Sequence, residues 1–146
     1  MADEEVTPSI VWRTLSIECA DADATAEFYS HLLGWEVDRR GDVDAETGRS
    51  GWVTLRNPER GPVLAFGAKK AYVPPVWPQE QGEQAMMMHF EVGVDDVEAS
   101  VAQCVRAGGS VASWQPPDRD PAELRVMLDP AGHPLCLFRM DNPRER

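Results

Sequence analysis

The chain has 146 residues, of which 42% are hydrophobic and 27% are charged, and its formal net charge is −11. This length and composition are typical of one globular domain, or of two small units that share a core. The negative charge argues against binding to nucleic acid or to anionic membranes, because both need a basic surface. It leaves neutral and cationic small molecules as ligands.

The sequence shows no pattern of export or membrane insertion. No apolar run approaches the roughly 20 residues that a membrane-spanning helix needs. The first residues, Met1 to Glu5, are acidic and lack the basic region of a signal peptide. The number of cysteines is odd, and Cys19 and Cys104 lie in predicted elements, which favours reduced core residues over a disulfide framework. We therefore predict a cytoplasmic protein.

The first half of the chain begins with a tail over residues 1–9, predicted to be flexible, and a strand over 10–19. Polar and apolar side chains alternate along this strand, with Trp12, Thr14 and Glu18 on one face. This pattern predicts a strand that is buried on one side.

A helix is predicted after this strand. Asp21 or Asp23 can cap its start, because a carboxylate accepts hydrogen bonds from the free N–H groups there, and Gly34 ends it. The residues predicted to face the core are Ala24, Phe28 and Leu32. Three strands follow, over residues 35–39, 51–56 and 62–67.

Residues 69–85 contain three prolines, which exclude a helix or a central strand. They are predicted to link the two halves. Tyr72 and Trp77 are large apolar groups that a plain linker does not need. We therefore expect the segment to fold back over a cavity as a flap.

The second half is predicted to start with a strand over 86–94 and a helix that ends at Gly108-Gly109. Asp95 and Glu98 have the spacing of a capping box. The helix residues predicted to face the core are Val97, Val101, Cys104 and Val105. Three strands and a tail complete the chain, over residues 110–115, 123–128, 134–140 and 141–146.

The second half repeats the first. Asp96 lies 75 residues after Asp21, and Gly109 lies 75 residues after Gly34. Both halves have the order strand, helix, three strands. This repetition predicts one fold unit present twice, with function where the two copies meet.

The final hairpin of each copy carries the most detailed match. Aligned without gaps at a spacing of 72, Asn57-Pro58 falls on Asp129-Pro130 and Phe66 on Phe138. Each hairpin has an Asn/Asp-Pro turn between two apolar strands. The shorter spacing is attributed to a shorter loop in the second copy.

These motifs resemble the vicinal oxygen chelate superfamily of glyoxalases, bleomycin-resistance proteins and extradiol dioxygenases. The resemblance rests on Phe28-Tyr29-x-x-Leu32-Leu33-Gly34-Trp35 and on Asp129-Pro-Ala-Gly-His-Pro-Leu-Cys-Leu137. The segment Val73-Pro-Pro-x-Trp-Pro, ahead of Met88-His-Phe-Glu-Val, is similar to the small bacterial glyoxalase-like domain group. The resemblance covers about residues 10–140.

The resemblance implies an α+β fold of two tandem βαβββ modules. The modules are expected at residues 10–68 and 86–140, with the linker or flap between them. Their strands would form a curled, half-open barrel sheet around a shared pocket. The resemblance also implies a homodimer.

Metal-dependent members of the superfamily place ligands at four strand positions, which here hold Thr14, Leu64, His89 and Cys136. Leu64 has no donor atom and Thr14 is a poor ligand. His89 and Cys136 leave two ligands where a catalytic divalent cation needs about three. The sequence therefore predicts no metal site and no cofactor.

Four side chains can carry chemistry in the pocket. His89 is a candidate catalytic base or ligand-orienting donor, because imidazole titrates near neutral pH, and Glu91 is its candidate partner. Cys136 is either a nucleophile activated by His89 or a small pocket residue. Glu18 and Glu91 either clamp a cationic or hydroxylated ligand or lie solvated at the rim.

The predicted ligand-binding residues combine these groups with large aromatic side chains expected to face the pocket. They are Trp12, Thr14, Glu18, Trp52, Leu64, Phe66, Trp77, His89, Cys136 and Phe138. Met86 to Met88 suggest an adaptable wall, because the thioether chain is flexible. His31 is expected on a helix surface, and His133 is expected to be structural or solvent-facing.

Three functions fit these observations. The leading one is metal-independent binding of a small apolar or aromatic ligand, as in resistance-type members of the superfamily. The second is an enzyme, either a metal-dependent lyase, isomerase or dioxygenase or a metal-free one that uses His89. The third is a dimer with a purely interaction role.

Overall fold

The structure is a computed structural model, and it describes residues 7–145. The predicted N-terminal tail therefore lies mostly outside the described residues. The first module contains β1 (Thr14–Cys19), α1 (Ala22–Leu33), β2 (Val37–Arg40), β3 (Trp52–Leu55) and β4 (Val63–Ala68). The second contains β5 (Phe90–Val94), α2 (Val97–Arg106), β6 (Ser110–Val111), β7 (Leu124–Leu128) and β8 (Pro134–Arg139).

The two modules have the same sheet topology, which confirms the predicted duplication. The first sheet has the order β1-β4-β3-β2, and the second has the order β5-β8-β7-β6. In each sheet the first strand pairs in parallel with the last, and the remaining pairs are antiparallel. The fold is therefore α+β with two βαβββ modules, and neither sheet closes into a barrel.

The helix α1 begins and ends as the sequence predicts. Asp21 is the N-cap, and its side chain accepts a hydrogen bond from the backbone N–H of Ala24. Gly34 follows the helix with a φ of +70°, a left-handed conformation that glycine adopts without steric cost. Of the three residues predicted to face the core, Phe28 is buried and Leu32 packs against the core, whereas Ala24 is not part of it. The fully buried face therefore differs from the predicted one. It consists of Ala22, Thr25, Ala26, Phe28 and Tyr29.

The helix α2 differs from the prediction at two positions. Its N-cap is Asp96, which accepts from the N–H of Ala99 at 3.0 Å, so Asp95 lies outside the cap. Val105 is 48% exposed and does not face the core. Val97 and Cys104 are the fully buried residues of this helix.

Three predicted strands are shorter in the structure than the alternation of side chains indicates. The first begins at Thr14 and the fifth at Phe90, so Trp12 and His89 precede their strands. The sixth ends at Val111 because the side chain of Gln115 takes over the hydrogen bonding to β7. Its amide donates to the carbonyl of Val126 and accepts from the N–H of the same residue, each at 2.8 Å.

The connecting segment (residues 69–89) contains no helix or strand. Its prolines account for this, because each lacks a backbone N–H donor. The segment packs on the second module. Pro74 lies against Gly132, and the indole of Trp77 meets that of Trp114 edge to face at 5.6 Å.

One hydrophobic core joins the two modules. It contains side chains from both helices and both sheets, with Tyr29 of α1 at its centre. The Tyr29 ring stacks on Phe66 of β4 at 5.3 Å and meets the edge of Phe90 in β5 at 5.4 Å. The two sheets therefore share one core. Among the described residues, no helix is long and apolar enough to cross a membrane.

The strand register corrects the alignment of the two final hairpins. Ser16 and Glu91 occupy equivalent positions ahead of the helix N-caps Asp21 and Asp96. Ser16 pairs with Ala65, and Glu91 pairs with Cys136. Ala65 is therefore the structural counterpart of Cys136, and Leu64 is not. The turn between β3 and β4 is one residue longer than the turn between β7 and β8, and a gap-free alignment cannot place this extra residue.

Candidate functional site

A cavity of about 500 Å³ lies where the two modules and the connecting segment meet. Its apolar wall comes mainly from β1, from the start of β5 and from the connecting segment. The apolar residues are Leu15, Ile17, Ala71, Val73, Pro75, Ala85, Met86, Met87, Met88, Phe90 and Pro134. Its polar groups are Ser16, Glu18, Tyr29, Tyr72, Gln84, His89 and His133. The cavity is large enough for a small aromatic molecule.

The residues of the cavity come together because β1 and β5 are the first strands of their modules. Each pairs only with the last strand of its own sheet, so each leaves one edge free. The connecting segment crosses near these edges and supplies the remaining wall. Half of the wall is thus irregular chain, which is where binding residues often lie.

Asp129, at the start of the β7–β8 turn, is the best-satisfied polar group near the cavity. Its side chain is fully buried. One oxygen accepts from the backbone N–H groups of Ala131 and His133 at 2.8 and 3.0 Å. The other accepts from the Tyr29 hydroxyl at 2.7 Å and lies 2.8 Å from His133 Nδ1. Both oxygens of Asp129 therefore act as hydrogen-bond acceptors, from two backbone N–H groups and one hydroxyl.

His133 connects this carboxylate to the connecting segment. Its Nε2 lies 3.2 Å from the hydroxyl of Tyr72, which also donates to the carbonyl of Ala131 at 2.7 Å. Burial, with the nearby charge of Asp129, raises the pKa of Tyr72, so its hydroxyl keeps its proton. Burial and the same carboxylate also raise the pKa of Tyr29. We call Tyr29, Tyr72, Asp129 and His133 the Asp129 cluster.

The Asp129 cluster was not predicted from the sequence. His133 was expected to be structural or solvent-facing, and its ring both contacts the buried carboxylate of Asp129 and lines the cavity. One signal was available, because an Asp four residues before a His within a tight turn can reach the ring. The contribution of Tyr29 and Tyr72 has no local signal, since they lie 100 and 61 residues from their partners.

Two of the predicted site residues line the cavity, namely Glu18 and His89. His89 Nε2 lies 3.8 Å from Glu91 Oε1, which is longer than a hydrogen bond. Glu91 is exposed and lies outside the lining. The structure therefore brings His89 into the cavity without its predicted partner.

Leu64 and Phe66 belong to the core instead. They are 6% and 0% exposed and lie on the face of β4 that packs under α1. Successive side chains of a strand point to opposite faces, so Leu64 and Phe66 share the core face and Ala65 between them points to the other. Neither residue lines the cavity.

The other predicted ligand-binding residues also lie outside the lining of this cavity. Trp12 is 67% exposed, and its indole N–H donates to the carbonyl of Thr14. Trp52 covers Gly41, and Phe138 lies against Gly93. Trp77 packs on Trp114. The remaining two residues outside the lining are Thr14 and Cys136.

The residues at the superfamily's metal positions do not fit a catalytic cation. Thr14 is a neutral hydroxyl, and Leu64 and its neighbour Ala65 supply no donor. Burial, with the charge of Glu91, raises the pKa of the Cys136 thiol, which disfavours the thiolate that a metal binds. The described residues contain no group of three or more His, Cys, Asp or Glu side chains that could hold a metal ion.

Comparison with known structures gives the same fold. A glyoxalase/bleomycin resistance protein/dioxygenase family enzyme from Burkholderia phytofirmans is 18% identical, with a TM-score of 0.58 over 89% of this chain and 98% of its own. The trypanothione-dependent glyoxalase I of Leishmania major is 18% identical, with a TM-score of 0.56 over 90% and 87%.

A third similar structure is an antibiotic-binding protein from Streptomyces sp. CB03234. It is 17% identical, with a TM-score of 0.52 over 94% of this chain and 100% of its own. These identities are too low to transfer a function. None of the curated proteins compared with the sequence matches it.

The sequence itself identifies the family of this chain. The family model described as glyoxalase-like domain matches residues 14–138, which contain every strand of both modules except the last residue of β8. The chain therefore belongs to the glyoxalase-like domain family, within the vicinal oxygen chelate superfamily.

Proposed function

We propose that this protein binds a small, largely apolar or aromatic molecule without a metal ion. The observation that supports the proposal is the cavity of about 500 Å³ between the modules, which has a mainly apolar wall and a few polar groups. Ligand sites in proteins share this composition. The antibiotic-binding protein from Streptomyces sp. CB03234 shows that this fold can serve binding.

The charge of the protein selects among such molecules. The net charge is −11, and the lining contains Glu18 but neither Lys nor Arg. A ligand with a large negative charge would be repelled, so the proposal is confined to neutral and cationic molecules.

The methionines favour ligands of variable shape. Met86, Met87 and Met88 form one stretch of the wall, and Met87 and Met88 are 84% and 71% exposed. Unbranched thioether chains adapt to irregular apolar surfaces. The wall can therefore close around different ring systems.

An enzyme that uses His89 and Glu91 as an acid–base pair has less support. His89 lines the cavity, but the 3.8 Å separation from Glu91 leaves its ring without an orienting hydrogen bond. The metal-dependent alternatives lack a donor set. The homodimer and the cytoplasmic location remain predictions.

Filling the cavity tests the proposal. Ser16 lines the cavity from the exposed face of β1, so Ser16→Trp should fill it without disturbing the core. The matched control is Ser110→Trp, an equally exposed strand serine outside the lining. With metal-free protein and a panel of aromatic compounds in thermal-shift and calorimetric titrations, we expect binding in wild type and Ser110→Trp, and at least about a tenfold loss in Ser16→Trp.

Two outcomes would contradict the proposal. The first is equal affinity of both variants for every compound that binds wild type, which would place the ligand elsewhere. The second is near-stoichiometric metal in protein purified without chelator, lost in His89→Ala. Elemental analysis of the same preparations measures it, and we expect far less than one metal ion per chain.

A further inference from the structure

The Asp129 cluster places a phenol group of the protein itself on the cavity wall. The hydroxyl of Tyr72 lies 3.2 Å from His133 Nε2, and the two rings are 5.8 Å apart. Both side chains line the cavity. The phenol group of the Tyr72 side chain thus already occupies one polar position of the cavity wall.

The protonation of His133 at Nδ1 follows from its partner. The buried carboxylate of Asp129 has donors at both oxygens, including the Tyr29 hydroxyl, so it acts as an acceptor. We therefore assign the proton of the neutral His133 ring to Nδ1, which lies 2.8 Å from the acceptor oxygen Asp129 Oδ2. The ring is held in one orientation, with Nε2 directed at Tyr72.

The chemistry of Nε2 then defines the group that fits it. With Nδ1 protonated, Nε2 is an acceptor in the neutral imidazole and a donor in the imidazolium ion. A hydroxyl group both donates and accepts, so it satisfies Nε2 in either state. A ketone or an ether satisfies only the imidazolium, and an ammonium satisfies only the neutral ring.

Tyr72 does not satisfy this nitrogen fully. Its hydroxyl has one proton, which is directed to the carbonyl of Ala131 at the shorter distance of 2.7 Å. In the neutral imidazole, Nε2 is then left without a donor. An unsatisfied acceptor in a partly buried wall favours a ligand that brings a hydroxyl proton.

We infer that His133, oriented by Asp129, is the hydroxyl-binding position of the cavity, that its ligand is a phenol, and that Tyr72 is an internal competitor for that position. The inference rests on the proposed function, because it names the ligand class of the same cavity. A bound phenol stacks its ring among the apolar wall residues and directs its hydroxyl at Nε2. It must displace the Tyr72 hydroxyl, which lowers its affinity.

The test compares 4-methylphenol with toluene, which have the same ring and methyl group and differ by one hydroxyl. Transfer from water favours toluene, because the phenol must give up a hydrogen bond to water. A preference for 4-methylphenol therefore requires a protein partner for the hydroxyl. Dissociation constants for both compounds are measured by NMR titration of the full-length protein.

We expect wild type to bind 4-methylphenol more tightly than toluene. In Tyr72→Ala the ratio of the two affinities should rise about three- to tenfold, because the phenol no longer has to displace the Tyr72 hydroxyl from its place beside His133 Nε2. In His133→Phe, which keeps an aromatic ring, the ratio should fall below that of wild type and favour toluene. The use of a ratio cancels any change in cavity volume.

The outcomes separate this inference from the proposed function. If toluene and 4-methylphenol both bind and wild type shows no preference for the phenol, the inference is wrong and the binding function stands. A preference that persists in His133→Phe also overturns the inference. If wild type binds neither compound at millimolar concentration but binds another member of the aromatic panel, the inference is wrong and the binding function stands.

Discussion

At the scale of single residues, one carboxylate holds three parts of the chain together. Asp129 lies in the β7–β8 turn of the second module and accepts from Tyr29 in α1 of the first. Through His133 it also reaches Tyr72 in the connecting segment. A residue with this many buried donors contributes both stability and a defined cavity wall.

A second carboxylate, Asp23, makes stability depend on pH. It lies in the first turn of α1 and accepts from the backbone N–H of Ser50 at 2.8 Å and from Arg40. Partial burial opposes its ionisation, but the hydrogen bonds from Ser50 and the charge of Arg40 lower its pKa below the usual 3.8. Because the folded-state pKa is lowered, the stabilisation is present above pH 3.8 and is lost as the pH falls through the folded-state value.

We therefore expect Asp23→Asn to lower the free energy of unfolding by about 1 kcal/mol near pH 7. The difference from wild type should close as the pH is lowered below 3.8. Urea denaturation of both proteins at neutral pH and at acid pH measures it. A difference that does not change with pH would show that the charge of Asp23 contributes nothing.

At the scale of elements, the two helices approach each other at Gly109, which follows α2. A Cβ atom at this position would lie 2.6 Å from the Phe28 ring of α1 and 3.0 Å from both Cys104 Sγ and the Leu128 carbonyl oxygen. A backbone oxygen and two core side chains cannot all move away. The close packing of α1, α2 and β7 thus requires glycine here.

We expect Gly109→Ala to destabilise the protein by about 1–3 kcal/mol, the usual cost of overpacking a core. Gly67→Ala is the matched control, because a Cβ at Gly67 in β4 meets nothing within 4 Å. It should change the free energy of unfolding by less than about 1 kcal/mol. Chemical denaturation of the two variants gives both values, and equal destabilisation would contradict the assigned packing.

The elements themselves were largely predictable from the sequence. Alternation along β1, the caps at Asp21 and Gly34 and the prolines of the connecting segment each follow from local chemistry. Strand ends were less predictable, because they depend on partners. The sixth strand ends early where Gln115, a residue with no strand-breaking property, replaces the backbone pairing with its side chain.

The candidate site was much less predictable. Large aromatic side chains were predicted to face the pocket, but Phe66 packs in the core and Trp52 covers Gly41. Size alone does not distinguish a core residue from a cavity residue. The face of the strand on which a residue lies does distinguish them. This face was assigned wrongly for Leu64, because one extra turn residue shifts the register of β4.

At the scale of the whole molecule, the two modules form one folding unit. The shared core contains residues from both, and Tyr29 contacts Phe66 on one side and Phe90 on the other. Neither module can separate without exposing this core to water. We therefore expect the two modules to unfold cooperatively.

Native-state hydrogen exchange measures this cooperativity. We expect amides in β4 and β8, the interior strands of the two sheets, to exchange with free energies that agree within about 0.5 kcal/mol. Tyr29→Phe should lower both by the same amount, about 1–2 kcal/mol, because it removes the hydrogen bond to Asp129. Exchange in one sheet at a much lower free energy than in the other would show independent modules.

The three methionines ahead of β5 make the cavity sensitive to oxidation. Met87 and Met88 are both largely exposed, and oxidation converts their apolar thioether to a polar sulfoxide. Met127 of β7 is fully buried in the core and is therefore shielded from peroxide. Under the proposed binding function, oxidation of these methionines would weaken ligand binding while leaving the scaffold folded, and reduction of the sulfoxides would restore it.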